Sequence, residues 1–388
     1  MNFNMNFISE LLQDTEALKT AGRFRVLREI VPLGDGRCRW EGKEYWNLSS
    51  NDYLGIAGNA DLRRSFYGQF DLGSPELALT SASSRLLTGN TLAYTRLENK
   101  LSELYDQRAA LVFNSGYHAN IGILPALATS KDLVLSDKLN HASIIDGMKL
   151  CEAETQRYRH LDYEHLEKIL SEKRAQYRQV FLVTESVFSM DGDSADILKL
   201  IELKEKYDCL LVVDEAHTVG VLGPSGAGMC AALGVQQKID ILIGTFGKAF
   251  ASAGAYAIMA QEVKDYLINH ARSFIFTTGL PPAILNWSAF VLKRCSRMDA
   301  EREKLKRMGI RLRTLIQSKG QGTTIAGASQ IVPMIIGEDA DAVAKAKGFQ
   351  GNGFLVFAIR PPTVPQGTSR LRFSLSAALE ESLLDQLI

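Results

Sequence analysis

Between residues 109 and 259 short apolar runs alternate with longer amphipathic stretches, and this alternation restricts the fold more than any other feature. The apolar runs lie at 109–113, 133–135, 180–184, 210–214, 241–245 and 255–259. Helical spacing falls between them, for example at 117–128, 163–173 and 196–207. The runs show little polar alternation, so each reads as a strand covered on both faces. Strand–helix alternation of this kind predicts an α/β fold with a mostly parallel central sheet covered by helices. In such sheets ligands gather at the carboxyl ends of the strands.

The flanks are built differently. Residues 7–30 carry apolar positions at helical spacing (Phe7, Leu11, Leu12, Leu18), then Arg23, Arg25 and Arg28, which alone read as a solvated helix face. Residues 37–49 suggest a small hairpin arm, and Asn51-Asp52 before Tyr53 and Gly55 is turn chemistry. Residues 72–90 are loop-rich, either a surface loop or a binding lip. Pro281-Pro282 opens a helical stretch expected to run to about Ser318, and 330–388 reads as strand, helix, strand, strand, helix, a smaller α+β unit. The expected division is 1–50 for the N-terminal helix and arm, 51–285 for the large domain and 286–388 for the small one.

Two strand ends carry the chemistry. The run at 241–245 leads through Gly244-Thr-Phe-Gly to Lys248, and the run at 210–214 ends in Asp214-Glu-Ala-His217. An ammonium at the end of a buried strand is costly to desolvate, so it either snorkels to water or has a covalent role as a Schiff-base lysine of lowered pKa. An aspartate at a neighbouring strand end is where the ring nitrogen of pyridoxal phosphate would find its partner. Phe113-Asn-Ser-Gly-Tyr-His-Ala follows a strand and opens a helix, and helix N-termini bind phosphate readily. Thr245 and Ser189 are hydroxyl donors for a phosphate or ordinary turn caps. His141 is a helix cap or a face stacked on a cofactor ring. Glu185, Asp191 and Asp193 read as supporting or loop carboxylates, and His217 as a partner of the ring's phenolic oxygen. Arg25, Arg360 and Arg372 are surface residues or carboxylate forks.

Composition removes several rivals. Lys+Arg and Asp+Glu both total 44 in 388 residues, so the basic excess of a nucleic-acid or membrane-surface binder is missing. Asp-Glu-Ala-His also occurs in helicases, but no Gly-x-x-x-x-Gly-Lys-Ser/Thr loop accompanies it. The N-terminus lacks the pattern of a signal peptide. Five scattered cysteines read as small hydrophobes of a reducing cytoplasm, not as disulfides or a metal site.

The chain resembles the α-oxoamine synthases, pyridoxal-phosphate enzymes of the fold-type I class. The resemblance runs from about Arg25 to Leu379. It is carried by Ser50-Asn-Asp-Tyr-Leu-Gly55, Asn114-Ser-Gly-Tyr117, Asn140-His-Ala-Ser143, Thr184-Glu-Ser-Val-Phe-Ser-Met-Asp-Gly-Asp193, Val213-Asp-Glu-Ala-His217, Gly244-Thr-Phe-Gly-Lys248 and Ile359-Arg-Pro-Pro-Thr-Val-Pro-Gln-Gly-Thr-Ser-Arg-Leu-Arg372.

The resemblance implies that Lys248 binds the cofactor and moves a substrate proton, that His141 stacks on the ring, and that Asp214 and His217 pair its nitrogen and phenolic oxygen. It implies cofactor contacts at Gly116, Tyr117, Glu185, Ser189 and Thr245, and substrate contacts at Arg25, Asn51, His141, Thr363, Arg360 and Arg372. A homodimer with shared sites is implied, with Thr277 or Thr278 reaching the partner's phosphate. The Arg-Pro-Pro-Thr-Val-Pro segment points to the branch that condenses L-alanine with a pimeloyl thioester, on coenzyme A or an acyl carrier protein. Sister synthases using glycine or serine, and a non-catalytic cofactor binder, are the alternatives. One departure stands out: the family's Gly-Ser-Gly-Gly-Ser-Arg loop is here Thr80-Ser-Ala-Ser-Ser-Arg85, which is expected to stiffen it.

Overall fold

In the computed structural model, residues 5–388 are described. The molecule centres on a seven-stranded sheet built from β4 (Ala109–Phe113), β5 (Leu133–Asp137), β6 (Glu154–Tyr158), β7 (Val180–Glu185), β8 (Leu210–Asp214), β9 (Ile241–Thr245) and β10 (Ala255–Met259), in the order β4-β10-β9-β8-β7-β5-β6. The pairs from β6 to β9 are parallel, whereas β10 runs antiparallel to both β4 and β9. Every residue of β5, β7, β9 and β10 is buried, as continuous apolar runs require. The α/β expectation with a mostly parallel sheet therefore describes this molecule. The strand missed from sequence is β6. Its Glu-Thr-Gln-Arg-Tyr lies on the sheet edge with two glutamate-end positions exposed, so no apolar run marks it.

Before the large sheet come β1 (Ile30–Gly34), β2 (Arg37–Trp40) and β3 (Lys43–Asn47), an antiparallel arm. After it, β11 (Ile331–Gly337), β13 (Ala358–Ile359) and β14 (Ser369–Ser374) form a small antiparallel sheet, and β12 (Phe354–Leu355) joins the arm by pairing parallel with β3.

Four expectations need correction. The first helix, Met5–Thr20, does not reach 30. Gly22, at φ +63, lets Arg23 N–H donate back to the Leu18 carbonyl at 2.8 Å and closes the helix, so Arg23, Arg25 and Arg28 lie on irregular chain rather than a helix face. The stretch from 282 splits into helices Pro282–Cys295 and Asp299–Ser318. At the break, the buried Arg302 guanidinium donates to the Cys295 carbonyl at 2.7 Å, replacing a lost helical bond. The expected strand at 355–359 is two short strands in different sheets. The tail is helical only over Leu383–Leu387.

Candidate active site

The adjacent parallel strands β7, β8 and β9 each deliver a polar group at or just beyond the carboxyl end. Lys248 follows β9 through a tight turn: the Thr245 hydroxyl donates to the Gly254 carbonyl at 3.1 Å and accepts from Gly247 N–H at 3.2 Å. The Lys248 ammonium contacts His217 Nε2 at 2.8 Å. Burial pulls its pKa down to about 8, and the carboxylates of Asp214 and Glu185 only partly offset this. No salt bridge holds this lysine among the described residues, the condition in which a buried amine becomes a nucleophile.

Asp214 ends β8. One oxygen accepts from Asn120 Nδ2 at 3.0 Å, the other from Ala216 N–H at 2.9 Å. Asn120 also donates to Ser143 at 2.9 Å, which ties the carboxylate to two helices. Glu185 stands beside Asp214 in parallel register, and burial with that neighbour's charge pushes its pKa up to about 8. It accepts from His141 N–H at 2.5 Å. His141 caps the helix Ala142–Leu150, with Nδ1 2.8 Å from Ser143 Oγ, and burial lowers its pKa. The shift favours the neutral ring, without a charge that would repel a cationic ring nitrogen. The His217 pKa is also lowered, by burial first and then by the Lys248 charge.

A phosphate cradle opens at β4. Ser115 caps the helix Gly116–Leu127 by accepting from His118 N–H at 3.2 Å, and the first-turn N–H groups have no intrahelical partners. Nothing approaches within 4 Å of the position a Gly116 Cβ would take, leaving room for an anion. Asn114 Nδ2 donates to the Thr278 carbonyl at 2.7 Å and to Thr277 Oγ1 at 2.9 Å, so the segment with Thr278 lies against this turn. The half-exposed Tyr117 donates to Asp146 at 2.9 Å.

A second chain of contacts joins the lysine to the small sheet. His217 Nδ1 meets the Tyr53 hydroxyl at 2.7 Å, and Tyr53 donates to Asn51 Oδ1 at 3.1 Å. Asn51 Oδ1 accepts from Arg372 at 3.3 Å, and Arg372 Nε donates to the Ser189 carbonyl. Ser189 thus presents its carbonyl to an arginine. Tyr53 and Asn120 were not singled out in the sequence. The turn Asn51-Asp52-Tyr53 signalled the first; nothing in the sequence signalled the second.

Arg25, Thr363 and Arg360 are not in this network. Arg25 donates to Thr363 Oγ1 at 3.1 Å and Arg360 to the Gly22 carbonyl. They line a separate cleft of about 1130 Å³ with Arg23, Arg28 and Lys347. Arg23 pairs with Asp339 and the Arg28 guanidinium stacks 4.5 Å over Phe357.

A seven-stranded, mostly parallel sheet with a half-buried lysine within the field of a strand-end aspartate is the arrangement of the pyridoxal-phosphate transferases of fold type I. The chain belongs to the aminotransferase class I and II family, whose model matches residues 43–388. The donor set fits pyridoxal phosphate: an amine of depressed pKa, a carboxylate for the ring nitrogen and a helix N-terminus with open space for the phosphate.

Among its relatives, an 8-amino-7-oxononanoate synthase of Chlorobaculum parvum is 50% identical over 379 residues, covering 97% of this chain and 96% of its own. A putative synthase of the same name from Haemophilus influenzae is 47% identical, covering 94% and 95%. Of solved structures, the serine palmitoyltransferase of Sphingomonas wittichii matches with TM-score 0.89 at 29% identity, over 99% of this chain and 96% of that one. An 8-amino-7-oxononanoate synthase from Francisella tularensis matches with TM-score 0.74 at 28% identity, over 88% and 95%. No described helix is long and apolar enough to cross a membrane.

Proposed function

We propose that this chain catalyses the 8-amino-7-oxononanoate synthase reaction, the decarboxylative condensation of L-alanine with a pimeloyl thioester. The contact of Lys248 with His217, opposite Asp214, carries the reading. Pyridoxal phosphate supplies an electron sink for the carbanion at the alanine α-carbon. Asp214 would pair with the ring nitrogen and keep it protonated, and Asn120 holds that carboxylate in place. Lys248, with a pKa of about 8, takes and returns a proton near neutral pH. His141 would cover the ring face and His217 would meet the phenolic oxygen.

Gly116, Tyr117, Thr245 and Ser189 border the phosphate end. Glu185, the register neighbour of Asp214, would support that carboxylate from behind. Arg372 and Asn51 hold the amino-acid carboxylate, a short path from Lys248. Arg25, Arg360 and Thr363 line the larger cleft, whose about 1130 Å³ exceeds what an amino acid fills, so it suits the acyl thioester. The carrier is coenzyme A or an acyl carrier protein.

The unit is a homodimer in which Thr277 or Thr278 reaches the partner's phosphate, and it works in the cytoplasm. The three-unit division, 1–50, 51–285 and 286–388, has support in the separate seven-stranded and three-stranded sheets, although β3 and β12 join the arm to the last unit.

The test offers L-alanine, glycine and L-serine with pimeloyl and longer acyl thioesters to the holoenzyme and identifies products by mass. The expected product is 8-amino-7-oxononanoate from alanine and the pimeloyl thioester. A serine-derived long-chain ketone as the main product would transfer the reading to the palmitoyltransferase branch. No product from any pair would favour a non-catalytic cofactor binder.

A further inference from the structure

His160 lies two residues past β6 and outside the hydrogen-bond network around Lys248. Its Nδ1 is 2.8 Å from Asp137 Oδ1 and its Nε2 is 2.9 Å from Asp193 Oδ2. Asp137 is an acceptor on both oxygens, taking Leu139 N–H at 2.8 Å and Leu161 N–H at 2.9 Å. Asp193 Oδ1 is buried without a partner, so the only hydrogen bond its side chain receives among the described residues comes from His160. A neutral imidazole would turn a bare lone pair toward one of two carboxylates. With both aspartates ionised, the geometry calls for donors at both nitrogens, an imidazolium. The pKa, pushed up to about 9 by the two aspartates against the opposing effect of burial, agrees.

The other charged or titratable groups facing this cluster do not replace it. Tyr158 and Tyr163 flank Asp137, and Glu185 senses its charge. Arg313 faces Asp193, but its guanidinium is engaged by the carbonyls of Gly309, Ile325, Ser329 and Ile331.

Asp193 closes the loop that follows β7. The Phe188 ring meets His160 edge-on at 4.5 Å, and Phe188 N–H donates to the Asp193 carbonyl at 3.0 Å. The far side of the same loop is held from the small sheet: Asp191 pairs with Arg370, Ser329 donates to the Gly192 carbonyl at 2.6 Å, and the Ser189 carbonyl takes Arg372 Nε. The loop is a strap between two sheets, and His160 is its anchor on the large one. We propose that His160 is a positioning residue: as an imidazolium clamped by Asp137 and Asp193 it fixes the 188–193 loop and, through the Ser189 carbonyl, aims the Arg372 guanidinium at the amino-acid carboxylate. This rests on Arg372 being that carboxylate's contact.

The test compares wild-type holoenzyme with His160→Gln, which keeps one donor, and His160→Leu, which keeps none. KM for L-alanine should rise about ten-fold in His160→Leu and less in His160→Gln, with kcat within two-fold and the thioester KM unmoved. A histidine with a raised pKa loses its proton as pH climbs, so the wild-type advantage over the Leu variant in alanine KM should hold below about pH 9 and fade above it, whatever pH change the two share. An unmoved alanine KM, or a fall in kcat alone, overturns the proposal.

Nitrogen NMR of histidine-labelled wild type at pH 7 needs no variant to fold: two ring N–H groups on His160 are expected, and a single one overturns the clamp. If no amino-acid and thioester pair turns over, the substrate reading has failed. The clamp is then judged by that spectrum and by backbone hydrogen exchange in 188–193, which should quicken in His160→Leu.

Discussion

The lysine cluster and the arginine cleft are built on opposite principles. Lys248, Asp214 and Glu185 sit at or just beyond the ends of adjacent buried strands, so sheet register fixes their spacing. Asp214 and Glu185 are 7% and 3% exposed. In the cleft, Arg25 is on irregular chain after a helix stop and Arg360 and Thr363 follow a two-residue strand. Their contacts are a side-chain hydroxyl and a backbone carbonyl across exposed surface. The first region holds reacting atoms still in low dielectric, where a misplaced charge is costly. The second can adapt to a long substrate because little of its geometry is imposed by packing.

That contrast can be broken or sharpened by mutation. Lys248→Ala should lower kcat by roughly 10³-fold and abolish the visible absorbance of lysine-bound cofactor, while the circular dichroism spectrum stays native. A variant keeping both turnover and absorbance would contradict the assignment.

A smaller effect comes from pH. In cofactor-free protein the folded Lys248 gives up its proton near 8, against 10.5 for the free side chain. The unfolded state therefore binds more protons between those values, and this site makes stability rise with pH there. Urea unfolding from pH 7.5 to 10.5 should show that rise in wild type and lose it in Lys248→Met.

In the cleft, Arg360→Ala should raise thioester KM about three- to ten-fold and change neither alanine KM nor urea midpoint appreciably. A loss of kcat equal to that at Lys248 would erase the distinction between the regions.

The smallest effect concerns the 80–85 loop. Ala82 sits at φ +49, where the resembling family carries glycine. An alanine there is strained, so Ala82→Gly should stabilise the fold by about 1 kcal/mol, read from the urea midpoint. Arg85 is independently anchored, through Glu98 at 2.7 Å and over Tyr94 at 3.8 Å, so the loop should keep its place.

The same contrast explains what the sequence disclosed. Unbroken apolar runs announced the inner strands of the large sheet, and polar residues directly after them announced Asp214 and Lys248. Hydrophobic pattern is a signal about burial, so it failed where burial is partial: at β6 on the sheet edge, and at the arginines after Gly22. It also overran the break at 296–298, where an arginine caps from within the next helix. Asn120 was invisible because a helical asparagine declares its partner only when the fold brings Asp214 to it. Tyr53 was flagged as part of a turn, but its hydroxyl bond to His217 spans 164 residues and no local pattern encodes it.

Everything proposed for this site depends on one amine, Lys248, binding the cofactor beside Asp214. Borohydride reduction of the holoenzyme followed by peptide mapping tests it directly. The phosphopyridoxyl mass is expected on the peptide containing Lys248 and nowhere else. Label on another lysine, or none on this one, would contradict it.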